Sequence, residues 1–256
     1  MKLKCVTCSG ANEHTNVEKL VDLFYNYNDR ASIGIQVSGD NASFGMARFW
    51  WIKALHYHLK EQEINLNIAL HLNLDWVERF CTGDVPDEVQ HFLGLNYSDG
   101  DPFIRTIQLN FMIKHKDDLK VETVGRMIKK YPDQTFVLSY NDANASFIKK
   151  LYDAGVKFEL LYDSSFGGGI VPENRLPPVF SDIPQGYAGG LSPENVAEEI
   201  DKISKVIPAN GQFSIDAEYK LKGEDGNFSL ERCRNFLNEA SKRILLHEKK
   251  STHGLF

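Results

Sequence analysis

The chain has 256 residues, a formal net charge of −6 and 42% hydrophobic residues, the balance of an ordinary folded domain. That composition excludes a disordered or coiled-coil chain, and a chain of this length buries enough apolar surface to need no disulfide or metal staple. A pI near 5.8 argues against a broad nucleic-acid surface, and no apolar run approaches the roughly 18 residues of a membrane span.

From the N-terminus, residues 3–8 form an apolar run that predicts a strand, with no leader-like core before it. Of the four cysteines, only Cys5 and Cys8 lie close together, and no second CxxC completes a zinc site, so a reduced, cytoplasmic protein is expected. Helical periodicity over 17–27 and 48–60 alternates with strand patterns over 32–37 and 66–72. Residues 73–103, broken by Gly83, Pro86, Gly94, Gly100 and Pro102, predict a third helix plus an inserted excursion. Strands at 104–110, 135–140 and 158–163 then alternate with helices at 119–131 and 144–154. Residues 164–185 hold three glycines and four prolines, so the sixth helix is expected to be short or absent. A strand at 186–188, a helix at 193–206, a strand at 213–217 and a helix at 229–246 complete the series.

Strands that alternate with helices require a parallel sheet. Eight such strands over this length predict an α/β fold, a single-domain (β/α)8 barrel over residues 1–256. The competing open, doubly wound sheet would carry its glycine cluster after the first strand, whereas these clusters follow late strands.

Ligands of such barrels meet the C-terminal ends of the strands. That places Cys8, Gln108, Asn110, Asp163, Gly189, Gly190, Asp216 and Glu218 at the expected mouth. Side chains alternate along a strand, so Cys5 and Cys8 cannot both face the axis, and Cys8 is the one nearer the mouth. The alternative for Cys8 is a small buried apolar residue. Asp163 ends an apolar strand, where partial desolvation raises a carboxyl pKa and suits a general acid; the alternative is a turn cap. Gly189-Gly190-Leu191-Ser192-Pro193 combines a glycine turn, a capping serine and a first-turn proline, a helix start that can hold a phosphate or simply be an ordinary βα turn. His56, His58 and His71 match no metal spacing and read as structural or surface histidines. Phe49-Trp50-Trp51 reads as packing.

The segment Gly186-Tyr187-Ala188-Gly189-Gly190-Leu191-Ser192-Pro193-Glu194-Asn195-Val196 resembles the seventh-strand AGGL-x-P-x-N-V pattern of phosphoribosylanthranilate isomerases. Leu160-Leu161-Tyr162-Asp163 with Gly167-Gly168-Gly169 is similar to that family's LLLD…GGTG stretch, Ile107-Gln108-Leu109-Asn110 to its VQLHG strand, and Ser214-Ile215-Asp216 to the start of its eighth. The resemblance, in order over roughly residues 104–240, implies a barrel and an Amadori rearrangement of an aminoaldose phosphate in tryptophan biosynthesis, with no cofactor or metal. It implies Asp163 as general acid and Cys8 as base, although Val6-Thr7-Cys8-Ser9 lacks the lysine and glycine of the family's K-I-C-G motif. Gly168, Gly169, Gly189 and Gly190 would hold the phosphate, with Gln108 and Asn110 facing the sugar.

Two departures stand out. The family's S-S-G-V-E after strand eight is replaced by Ala217-Glu218-Tyr219-Lys220-Leu221, which removes a hydroxyl-and-glycine wall of the phosphate cup and is expected to place Glu218 near it. The arginine motif after strand two is missing, and Arg48 is the nearest substitute. The expected partner is therefore a small phosphorylated sugar or related metabolite, with neither nucleic acid nor membrane. The alternatives are other proton-transfer or hydrolytic chemistry by Asp163, Asp216 and Glu218 on an unphosphorylated ligand, or a metabolite-binding barrel without catalysis.

Overall fold

The computed structural model describes residues 2–27, 30–39, 46–111, 119–163 and 168–253, with side chains described as far as Ile244. Eight strands, β1 (Lys2–Ser9), β2 (Ala31–Val37), β3 (Asn67–Leu72), β4 (Ile104–Leu109), β5 (Thr135–Tyr140), β6 (Glu159–Tyr162), β7 (Gln185–Tyr187) and β8 (Gln212–Ala217), pair in parallel in chain order. β8 pairs back onto β1 and closes the barrel. Around it run α1 (Val17–Tyr25), α2 (Phe49–Glu61), α3 (Asp75–Thr82), α4 (Asp87–Leu93), α5 (Val121–Lys130), α6 (Ala145–Asp153), α7 (Val196–Val206) and α8 (Leu230–His253). The expected (β/α)8 barrel is the fold.

The two irregular stretches behave as their glycines and prolines require. Residues 168–184, between β6 and β7, contain no helix. The excursion after β3 consists of α3, α4 and a return loop closed by an Asn96–Pro102 bridge. Tyr97 Oη donates to the Leu66 carbonyl at 2.6 Å, beside the start of β3, so the return loop packs at the barrel's N-terminal end, away from the mouth. One boundary moved: α7 begins at Val196, not at Pro193. The Ser192 carbonyl accepts from the N–H groups of Asn195 and Val196, and Asn195 turns its side chain back to the Gly190 carbonyl at 2.9 Å, so a turn precedes the helix.

The apolar core lies between the strands and the helices. Ile33, Ile35, Ile68, Leu70, Ile107, Leu138 and Ile215 point outward and are fully buried, each stabilising the fold by about 1.5–3 kcal/mol. On β2, β3 and β8 the alternate positions face the axis and are small or polar, where barrels of this class usually stack branched aliphatics. Register aligns Gln36 with His71 and His71 with Gln108, a polar row across three adjacent strands. At the bottom, Lys4 of β1 and Glu159 of β6 form an ion pair between strands that are not neighbours.

Gly34 of β2 pairs with Ser9 of β1 and leaves the space that Ser9 and His71 fill. A Cβ there would overlap Ser9 Oγ and approach the His71 ring edge at 3.1 Å. Gly34→Ala is expected to lower stability by about 1–3 kcal/mol through this overpacking. Denaturant unfolding of the two proteins checks it, and an unchanged midpoint would show that the interior has slack at Gly34.

Candidate active site

The mouth of the barrel holds a cavity of about 790 Å³, large enough for a small metabolite. Its lower wall is polar, with Gln36, His71, Gln108, Asn110, Asp163 and Asp216. Its upper wall is apolar, with Met46, Leu74, Phe111 and Tyr219 among the residues exposed to it. Leu74, which joins β3 to α3, has φ of 53°, a strained value for a bulky residue and one that sequence alone does not disclose.

Hydrogen bonds link part of the lower wall, Asp216, Gln108 and Asn110, into a network. Ser9 Oγ donates to Asp216 Oδ1 at 2.7 Å, and the Gln108 side chain also bonds Asp216. The Gln108 amide donates to Asn110 Oδ1 at 3.0 Å, and Asn110 in turn donates to Asn73 Oδ1 at 2.8 Å. Burial pushes the Asp216 carboxyl up to about 6 despite those two bonds, with the nearby Asp163 charge adding to the rise. Glu218 is raised for the same main reason, burial, and Gln36 and Lys222 offset part of it. Burial holds His71 neutral, its pKa lowered to about 4.

Asp163, Asp216, Glu218, Gln108 and Asn110 are thus brought together as expected, on or just beyond β4, β6 and β8. Gly169, Gly189 and Gly190 line the same cavity, while Gly168 is exposed and stands off the lining. Ser164–Gly167 of that glycine loop lie outside the described residues. Gly189 and Gly190 have φ of 87° and 65°, and a side chain on Gly190 would meet the Val171 backbone nitrogen at 2.5 Å. Those glycines therefore serve the left-handed turn and the close approach of the preceding loop as well as facing the cavity.

Two expectations need correction. Cys8 does not face the mouth. A bulge at Lys4 shifts the β1–β8 register, and beyond it Cys5, Thr7 and Ser9 face the axis while Val6 and Cys8 point outward. The Cys8 thiol is fully buried against Cys233 of α8, and burial and that partner both raise its pKa. The inward thiol, Cys5, is itself pushed up to about 12 by burial. Neither cysteine is a thiolate near neutral pH, so neither supplies a base. Arg48 is the second correction: it precedes α2 and pairs with Glu13, with Nε 3.3 Å from Oε1, and is not part of the cavity lining.

Cys8 is therefore expected to resist iodoacetamide in the folded protein and to react once the chain unfolds, as mass spectrometry of the labelled peptide would record. Rapid native-state labelling of Cys8 would contradict its burial against α8.

Sequence reasoning set His71 aside as a structural or surface histidine and passed over Ser9. Both belong to a period-two polar pattern, Thr7 and Ser9, Ser32 and Gln36, His71, Gln108, Ser214 and Asp216, whose alternation marks the axis-facing side of five strands. Arg175, in the proline-rich loop before β7, was also passed over. It is buried, donates to Glu199 Oε2 at 2.8 Å and to the Ala188 carbonyl at 2.6 Å, and so holds the cavity's glycine wall. Among the described residues no group of three or more His, Cys, Asp or Glu side chains is arranged to hold a metal ion, and no helix is long and apolar enough to cross a membrane.

The chain matches no protein-family model, and no curated protein matches it by sequence. Solved structures do resemble it. The N-(5′-phosphoribosyl)anthranilate isomerase of Pyrococcus furiosus superposes with a TM-score of 0.55 at 12% identity, covering 93% of this chain and 98% of that one. A monomeric form of the phosphoribosylanthranilate isomerase of Thermotoga maritima gives 0.54 at 16% identity, covering 94% and 99%. The phospho-2-dehydro-3-deoxyheptonate aldolase of Thermotoga maritima gives 0.54 at 12%, covering 97% of this chain and 71% of that one. At such identities the likeness establishes a shared barrel architecture, and the chemistry has to be argued from this chain's own residues.

Proposed function

We propose that the protein is an isomerase of the aldose–ketose type, moving a proton between adjacent carbons of a small hydroxylated substrate. Asp216 is the base and Asp163 the second acid–base group. The observation that carries this reading is Asp216 itself: buried at the cavity floor, oriented by Ser9 and Gln108 and beside Asp163, with burial pushing its carboxyl up to about 6. A carboxylate with that pKa is ionised at neutral pH yet basic enough to accept a proton from carbon, the match that general-base catalysis needs.

The fold neighbours named as isomerases are consistent with this class, and the sequence resemblance points the same way. The cavity's charge balance narrows the substrate. Asp163, Asp216 and Glu218 line it with Lys220 as the one lysine or arginine among the described lining residues. A phosphate dianion would meet three carboxyls, whereas an unphosphorylated aminosugar or hydroxyaldehyde meets no such repulsion. This favours the unphosphorylated substrate over the phosphorylated one that the resemblance implies.

The test is solvent exchange. The full chain is incubated in deuterium oxide with N-(5′-phosphoribosyl)anthranilate, its unphosphorylated counterpart, and free pentoses. Protein-dependent deuterium at C1 or C2, strongest with the unphosphorylated compounds, is the expected result. Preference for the phosphorylated compound would overturn the substrate assignment, and a folded protein that exchanges none of them would overturn the reaction class.

A further inference from the structure

We propose that His71 recognises an uncharged oxygen of the substrate, a hydroxyl or carbonyl, and that the natural ligand is accordingly a neutral polyhydroxylated molecule. The proposal rests on the reading of the cavity as a sugar isomerase site, and it assigns the contact that reading leaves open.

His71 is 1% exposed, and its Nε2 is buried with no hydrogen-bond partner among the described residues. The residue nevertheless lines the cavity. A shielded ring nitrogen without a partner costs free energy in the folded state, and such groups are rare unless something outside the chain completes them. Gly34 adds to the case, since its missing side chain leaves the ring edge and Ser9 room to stand side by side. The site thus provides a buried polar atom without a partner, on a residue that lines the cavity.

The surroundings select the kind of atom that fits. Burial keeps the imidazole neutral, so at neutral pH it offers one N–H and one lone pair but no charge. Gln36 and Gln108 flank it in register, and their amides likewise donate and accept. Asp216 and Glu218 share the cavity and oppose an anionic oxygen. A hydroxyl satisfies either tautomer of the ring, because it can donate to the lone pair or accept from the N–H. A carbonyl oxygen satisfies the tautomer protonated on Nε2.

The experiment labels the eight histidines of the full chain with nitrogen-15 and assigns His71 by its loss in His71→Gln. D-ribose and ribitol are then titrated in, with ribose 5-phosphate as the anionic comparison. The expected result is a saturable shift of the His71 ring nitrogens with the two neutral compounds and a weaker response to the phosphate. Replacement of the ring nitrogens in His71→Phe is expected to weaken binding by about tenfold, the worth of one hydrogen bond. His71→Gln, which retains an amide that can reach the same oxygen, is expected to recover part of that loss. The shift is expected to persist in Asp216→Asn even where turnover stops, which separates failure of this contact from failure of the acid–base reading. No saturable response from either neutral compound, binding that leaves the His71 nitrogens unmoved, or full affinity in His71→Phe would each overturn the assignment.

Discussion

Arg175→Ala is expected to cost about 3–5 kcal/mol of stability, because it leaves Glu199 charged and buried without its partner. The Arg175 and Glu199 side chains are 0% and 3% exposed, so water replaces nothing that is lost. Lys202 keeps one contact to Glu199, at 2.8 Å, but from the protein's edge. For a domain of this size the loss corresponds to a fall in melting temperature of about 10 °C, readable by calorimetry. A paired replacement, Arg175→Met with Glu199→Leu, removes both charges and is expected to recover most of that loss. If the single and double variants melt together, the ion pair is not what organises this loop.

The same substitution reaches the site. Arg175 also donates to the carbonyls of Ala188 and Gly189, Tyr187 Oη donates to the Leu176 carbonyl at 2.8 Å, and the Val179 N–H donates to Gln185 Oε1 at 2.9 Å. These bonds fasten a helix-free loop over the cavity's glycine wall. Proline-rich segments rarely build secondary structure of their own, and here one buried guanidinium takes over its role in fixing the loop.

The barrel was legible in the sequence because each strand is short, strongly apolar on one face and set off by helical periodicity on either side. Thr135–Tyr140 matches its predicted limits, and the other strands differ by a residue or two at their ends. The site was less legible for a physical reason. Which face of β1 looks inward depends on one extra residue, Lys4, in its pairing with β8, and pairing is a long-range property. Cys8 sat at a plausible height and on the wrong face. His71 is uninformative as a lone histidine, and gains meaning only when register sets it between Gln36 and Gln108 with Gly34 beside it. The paired glycines were visible at once, but their left-handed backbone and the Val171 contact give them a structural duty that a motif cannot separate from ligand binding. Asp163 and Asp216 were picked out by their place at the C-terminal ends of β6 and β8, Asp163 also because a carboxylate ending an apolar strand stands out on its own.

Asp216→Asn is expected to lower kcat by roughly 10²–10⁴-fold, the range for losing a general base. The amide keeps the size of the carboxyl and can still accept from Ser9 and Gln108, so the barrel should remain intact. In the wild type, activity is expected to fall on the acid side with an apparent pKa near 6, and that limb should vanish from whatever activity the variant retains. Stability should move the other way. Asp216 is raised from 3.8 to about 6 in the folded protein, so the folded state holds its proton more tightly than the unfolded chain does. Its contribution is therefore most favourable below about 4 and is lost as pH rises to about 6. Asparagine cannot ionise. Relative to wild type, the variant should gain stability through that window and keep the gain at neutral pH, as parallel urea titrations at pH 4 and 7 would measure. Loss of activity with a gain of stability is the signature of a charge kept in a costly place for its chemistry. Equal loss of both would identify Asp216 as a structural carboxyl, and the base would then have to be sought at Asp163 or Glu218.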